Sequence, residues 1–244
     1  MSSLPSFFLP REAFHDRAIT IHEAEIIRQM RKVFRMKPGD SFVALDGKGH
    51  EYICRVDALQ HDVVRASIVS DSTTKRETSI SVVLYPSLIR RERFVLVLEK
   101  CTELGVSGFF PIAASRSPYH AITQHTKERW EHIIREAAEV AHRGMLPKLA
   151  AAMTLSDALA NIPANDLTIV LSTAQDGVRT ANDITTIIQG VKSVHLFLGP
   201  EGDYTEEEYG LLHERGAVFF SLGPRIVRSE TAAIAAVALF TAFL

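Results

Sequence analysis

The hydrophobic patterning of this chain changes character across residues 70–79. Beyond them, short unbroken apolar runs alternate with helix-spaced ones. The runs are SVVLYPSL, GFFPIAA, LTIVLS, VHLFLG and AVFFSLG, and helical spacing covers 91–104, 127–142, 180–189, 205–215 and 229–243. Apolar runs without polar alternation suit strands buried on both faces. Their alternation with helices predicts a mostly parallel α/β sheet covered on both sides. Before the change, SFVALDGKGHEYICRVDAL reads as two alternating strands around the turn Asp46-Gly47-Lys48-Gly49, and VVRASIV as another strand. This predicts a β-rich module around one helix, a polar linker SDSTTKRETS over 70–79, and domains at 1–72 and 73–244. YTEEEYGLLHERG shows helix grammar most clearly. Thr205 and Glu208 form a capping box, Glu206 and Glu207 occupy the first turn, and Gly216 closes the helix.

Composition adds bounds. The 244 residues are 46% hydrophobic and 23% charged with a formal charge of −2, as expected of one large or two modest soluble domains. The start, MSSLPSFFLPREAF, lacks the basic and apolar regions of a signal peptide. The most apolar segment, AAIAAVALFTAFL, falls short of the ~20 residues of a membrane span and suits a core or subunit interface. Cys54 and Cys101 lack CxxC spacing, which suits the reducing cytoplasm and argues against structural zinc. His142 and His195 lack partners at ligand spacing, so no metal is expected. Cys101 and Trp130 read as core residues.

A charge near zero leaves room for a local basic face. Arg28, Arg31, Lys32 and Arg35 fall at i, i+3, i+4 and i+7, one stripe of a helix whose opposite stripe is Ile26, Ile27, Met30, Val33 and Phe34. Such a stripe reads equally as a solvated face or as a phosphate-binding surface.

Two apolar runs end in the same tripeptide, Leu198-Gly199-Pro200 and Leu222-Gly223-Pro224. Ligands of parallel sheets bind outside the carboxyl ends of the strands. Gly199, Gly202 and Gly223 would let backbone approach a ligand, and Pro200 and Pro224 would stiffen the loops, although glycine and proline also simply end strands. Neither GxGxxG nor GxxxxGK[ST] occurs in these loops. Arg225 and Arg228 precede a helix expected to start at Ser229 or Thr231, where each cation opposes the macrodipole by roughly 0.3–1 kcal/mol. They therefore need an anion: Glu201, Glu230, a phosphate or the carboxylate of an amino-acid-like ligand.

LGPEG followed by SLGPRIVRSETAA resembles the signature of the RsmE family, SPOUT-superfamily methyltransferases of small-subunit ribosomal RNA. FRMKPGD, LDG, KCTELGV, SRS (115–117) and RWEHIIREAAE extend the resemblance over nearly the whole chain. It implies an N-terminal PUA-like β-barrel and a C-terminal SPOUT α/β domain with a deep trefoil knot. It also implies S-adenosylmethionine as cofactor, a homodimer, and methylation of N3 of a uridine in 16S ribosomal RNA of the small ribosomal subunit. The cofactor set it implies is Leu171, Ser172, Thr173, Leu198, Gly199, Pro200, Gly202, Ser221, Leu222, Gly223, Arg225, Ile226 and Val227. Removing the imide proton requires a base, for which Glu201 is the candidate, and Arg228 is the candidate for steadying the anion, with Arg225 second. Glu201 reads alternatively as an ion-pair partner holding the second junction. Arg11, Arg116 and Arg143 are candidates to position phosphates beside the basic stripe. The family pattern has a second glycine where Asp203 stands, a glutamine, a small residue and glycine at Val140-Ala141-His142, and Asn-Arg at Gly144-Met145. A SPOUT enzyme acting on another RNA and a non-catalytic RNA-binding relative are the competing readings. Intact Glu201, Arg225, Arg228 and Thr231 favour an enzyme.

Overall fold

The structure is a computed structural model that describes residues 4–172 and 178–243. The chain divides into two compact units, Met1–Glu77 with Ala138–Leu146, and Thr78–Ala137 with Pro147–Leu244.

The first unit is built on β1 (Ser6–Phe8), β2 (Phe14–His15), β3 (Ala18–Ile21), β4 (Ser41–Leu45), β5 (His50–Leu59) and β6 (Val64–Thr73). They form one sheet in the order β1-β4-β5-β6-β3-β2, antiparallel except for β1 beside β4. Phe7 of β1 and Ile19 and Ile21 of β3 stand far apart in that order, yet they share one core with Phe42, Cys54, Val56 and Ala66. The sheet therefore curls around that core. The expected hairpin is β4–β5, with Leu45 opposite Glu51 and left-handed Gly47 and Gly49 in its turn.

Two expectations for this unit need correction. The linker reading of 70–79 is too long, because β6 runs to Thr73, which pairs with His50. Residues 70–73 are exposed on both faces, so main-chain pairing makes them strand without any apolar alternation to reveal it. The basic stripe is also not one α-helical face. Helix α1 (Ala24–Arg28) passes into a π-helical turn, Gln29–Val33, and Arg35 lies beyond it at φ +52°. The wider turn breaks the 100° step, so Ile26, Ile27 and Met30 are buried while Val33 and Phe34 are 62% and 49% exposed.

The segment 138–146 completes this unit. Glu139 accepts hydrogen bonds from Phe8 N–H on its carboxylate (2.8 Å) and from Ser6 Oγ on its carbonyl (2.7 Å). His142 is left-handed at φ +53°, with Nδ1 3.1 Å from Ser6 Oγ. A Cβ on Gly144 would lie 2.5 Å from Thr74 Cγ2, so Thr74 fills the space an asparagine side chain would need.

The second unit holds β7 (Ser81–Pro86), β8 (Gly108–Phe109), β9 (Lys148–Leu149), β10 (Leu167–Leu171), β11 (Ser193–Leu198) and β12 (Val218–Phe220). As the pattern predicts, the sheet is parallel throughout, in the order β12-β10-β11-β7-β8-β9. Its helices are α2 (Arg91–Glu103), α3 (Gln124–Val140, whose end from Ala138 counts with the first unit), α4 (Leu155–Ala160), α5 (Ile184–Ile187), α6 (Glu206–Glu214) and α7 (Ser229–Ala242). Helix α4 escapes the sequence pattern because it is a bare six residues, capped by Thr154. The expected helix at 180–189 shrinks to a 3-10 turn at Ala181–Asp183 followed by α5.

Successive strand residues serve opposite faces. Val170, Phe197 and Phe219 pack with Leu155 and Leu159 of α4 and Leu212 of α6. On the other face Phe220 meets Phe240 of α7, and α7 packs against α2, β7 and β11. Trp130 is a core residue as expected, stacked on Phe94 at 4.3 Å, and so is fully buried Cys101.

Candidate functional site

Hydrogen bonding aligns three strand ends. Leu171, at the end of β10, stands opposite Leu198 of β11 on one side and Phe220 of β12 on the other. Both Leu-Gly-Pro junctions therefore leave the sheet at the same level, one from each neighbour of β10, and both contribute residues to one cleft. Together they enclose a cleft of about 200 Å³. Of the residues expected there, Leu171, Ser172, Leu198, Gly199, Pro200, Glu201, Leu222, Arg225, Ile226 and Val227 line it. Asp203, Phe220, Ser229 and Ala232 line it too and were missed, because strand register and the first turn of α7 bring them there. Gly202, Ser221, Gly223 and Arg228 are not among the lining residues, and Thr173 lies outside the described residues.

A Cβ on Gly199 would sit 3.0 Å from Asp203 Oδ1 and 3.4 Å from Tyr204 N, and one on Gly202 would sit 3.4 Å from the Arg116 side chain. At Gly199 the Asp203 side chain would have to give way by a few tenths of an ångström, whereas at Gly202 the contact would be ordinary van der Waals packing. Gly223 is left-handed at φ +115°, and Ser221 Oγ accepts its N–H at 3.1 Å, closing a tight turn outside the cleft.

Asp203 is itself left-handed, at φ +61°. Its Oδ1 accepts from Tyr204 N–H (2.9 Å) and from the Tyr209 hydroxyl (2.7 Å), whose titration burial pushes up to about 12. The loop is held from outside by the SRS segment. Arg116 Nη1 donates to the carbonyls of Gly202 (2.8 Å) and Tyr204 (3.4 Å), and Ser115 N–H donates to buried Glu208 (2.8 Å), the capping-box residue of α6.

The charges are arranged in a chain. Glu201 Oε1 accepts from Arg90 N–H at 3.3 Å and lies 3.6 Å from Arg93 Nη1. Arg93 Nε is 3.6 Å from Oε1 of buried Glu230, and Arg228 Nη1 is 4.0 Å from the same oxygen. Of the anions weighed for the two arginines, Glu230 meets Arg228. Among the described residues no ion pair joins Glu201 to Arg225 or Arg228. The groups that hold Glu201, the Arg90 backbone N–H and the Arg93 guanidinium, come from the start of α2, a segment that no strand-end argument selects.

The RNA-facing candidates separate by burial. Arg143 is 3% exposed, with Nη2 2.6 Å from Glu77 Oε2, which removes it from any surface that meets a ligand. Arg28 pairs with Glu25. Arg11, Arg31, Lys32 and Arg35 are exposed. Arg28, Arg31 and Lys32 rim a groove of about 580 Å³ together with His22, Ala24, Ile27, His61 and Asp62. Among the described residues no three His, Cys, Asp or Glu side chains cluster as metal ligands would, and no helix is long and apolar enough to cross a membrane.

Residues 76–241 match the family model of the RNA methyltransferase domain, and residues 25–69 match that of the RNA methyltransferase PUA domain. The ribosomal RNA small subunit methyltransferase E of Bacillus subtilis is 29% identical over 85% of this chain and 84% of its own length. The protein of that name from Synechocystis is 28% identical over 96% of this chain and 76% of its own length. A crystal structure of ribosomal RNA small subunit methyltransferase E from Neisseria gonorrhoeae, bound to S-adenosyl methionine, superposes with a TM-score of 0.84 at 28% identity, covering 96% and 95% of the two chains. A Legionella pneumophila protein described as a methyltransferase and solved with bound SAM superposes with a TM-score of 0.87 at 26% identity, covering 99% and 98%.

Proposed function

The chain belongs to the RNA methyltransferase domain family, and from that premise we propose that it methylates N3 of a uridine in 16S ribosomal RNA. It is an S-adenosylmethionine-dependent ribosomal RNA methyltransferase that carries a PUA domain as well as its methyltransferase domain. The observation that carries the reading is the cleft at three aligned strand ends with Glu201 in its wall.

The cleft suits the cofactor. Ile226 and Val227 are 93% and 40% exposed beside it, an apolar surface suited to being covered by an adenosine. Leu198, Gly199, Pro200, Leu222 and Arg225 to Val227 would hold the ligand, with Ser172 closing another side. Bound there, S-adenosylmethionine supplies an electrophilic methyl group on a sulfonium. The protein must then take the imide proton from N3 and tolerate the anion that remains. Glu201 takes the proton, a step worth about 10²–10⁴ in rate for a positioned base. Arg228, 73% exposed at the N-cap of α7, is free to swing to the substrate oxygen and steady the charge.

The rest of the reading concerns shape and partners. The order β12-β10-β11, followed by a return of the chain that packs α7 on α2, β7 and β11, supports a trefoil knot around the cleft. Exposed Arg31 and Lys32 at the groove of the first unit support contact with RNA phosphates, with exposed Arg11 and Arg35 as further candidates. The half-buried apolar residues of α7 support a homodimer, and a ribosomal RNA substrate supports a cytoplasmic enzyme.

The test uses purified protein, methyl-labelled cofactor and small ribosomal subunits lacking the modification. Label at N3 of a uridine is expected. Glu201→Gln should keep cofactor affinity and lose about 10²-fold or more in turnover. Label on a ribose 2′-hydroxyl or on another base would overturn the N3 assignment. Full turnover by Glu201→Gln would remove the base.

A further inference from the structure

We propose that Arg93 is a positioning residue for this reaction: its guanidinium holds the Glu201 carboxylate at the cleft and is held in turn by buried Glu230. The inference rests on the reading of Glu201 as the base. It starts from Glu230, whose side chain is 9% exposed and whose Oε2 is buried without a hydrogen-bond partner. A carboxylate so far from water is tolerated only beside a cation. Arg93 is the nearer of the two it has, at 3.6 Å against 4.0 Å for Arg228, and the less exposed, at 30% against 73%.

The same guanidinium reaches Glu201 Oε1 at 3.6 Å through its other side, Nη1. Both separations exceed the 2.7–3.2 Å of a direct N–H···O bond, so Arg93 acts through charge shared between two carboxylates. The backbone N–H of Arg90, one turn earlier, donates to the same Glu201 oxygen at 3.3 Å and sets its direction. Glu201 follows the first Leu-Gly-Pro junction and Glu230 the second. A side chain from a third element, α2, therefore ties both junctions at the site. Only a planar fork can address the two carboxylates from separate nitrogens, whereas lysine offers a single point charge.

The deciding experiment is a double-mutant cycle on the full chain, with labelled cofactor and unmodified small subunits. Arg93→Gln should lower kcat about tenfold. Cofactor affinity by calorimetry and KM for the subunits should stay within about twofold. Arg93→Lys should fall between the two, and Glu230→Gln should lower kcat in the same direction. Once Glu201 is Gln, Arg93→Gln should have no further effect. A normal kcat in Arg93→Gln, or losses that simply multiply with those of Glu201→Gln, would overturn the inference and leave the base standing. Full activity in Glu201→Gln would remove the base and this inference with it. If Arg93→Gln does not fold, Arg93→Lys carries the same cycle.

Discussion

At φ +61°, Asp203 holds a backbone conformation that disfavours an L side chain by roughly 1–2 kcal/mol. Its carboxylate offsets that strain by accepting from Tyr204 N–H and the Tyr209 hydroxyl. His142 answers the same problem at φ +53° through Ser6. Both stand where the related pattern has glycine, so the departures are local exchanges of backbone freedom for side-chain bonds. Asp203→Ala, which keeps the strain and loses the bonds, should destabilise more than Asp203→Gly by about 1 kcal/mol in denaturant unfolding. A second residue-scale expectation concerns His195, buried on β11 with its ring nitrogens 3.2 Å from the Tyr85 hydroxyl and from Asp166. Burial holds its pKa below the ordinary 6.5, with the Asp166 hydrogen bond opposing and the charge of Arg215 adding to the lowering. The unfolded chain therefore binds the proton first. The stability due to neutral His195 is complete above about pH 6.5 and is lost as pH falls toward the lower folded value. Urea midpoints should show this acid-side decline, and His195→Gln should flatten it.

At the scale of elements, a π-helical turn and a register decide what the site can be. The π turn at Gln29–Val33 turns the arginines and Lys32 away from a single stripe, yet leaves Arg31 and Lys32 exposed at the groove. If they meet RNA phosphates, Arg31→Ala with Lys32→Ala should flatten the dependence of log affinity on log salt by about one unit per contact. Cofactor affinity should not change. An unaltered slope would make them ordinary solvated cations. Strands β7, β8, β10, β11 and β12 were legible because strands buried on both faces are mostly apolar, and α6 because its caps are written in Thr205, Glu208 and Gly216. Helix α4 and the end of β6 were not, since a six-residue helix and an exposed polar strand bury too little to leave a pattern.

At the scale of the whole molecule, α7 is apolar nearly all round, but within this chain it is covered on one side only. Ala233, Ala236, Val237 and Phe240 are buried, while Ile234, Ala235, Ala238 and Leu239 remain half-buried and Phe243 is 52% exposed. The proposed homodimer would cover that second face. Light scattering at micromolar concentration should give twice the chain mass, and Ile234→Glu should shift the population toward monomer. A monomeric wild type would mean that the face serves another purpose.

The sequence by itself determined the parallel sheet, the covering helices, the two Leu-Gly-Pro junctions and the need for an anion near Arg228, because each follows from periodicity or from charge near a helix end. Tertiary structure alone decided which strands are neighbours, and so that both junctions open on one cleft at Leu171. It also buried Arg143 against Glu77 and set Arg93 between Glu201 and Glu230. Those pairings join residues 66, 108 and 137 positions apart. No local pattern encodes such a distance. Burial selects the partner, because a charge withdrawn from water must find its opposite wherever the chain brings one.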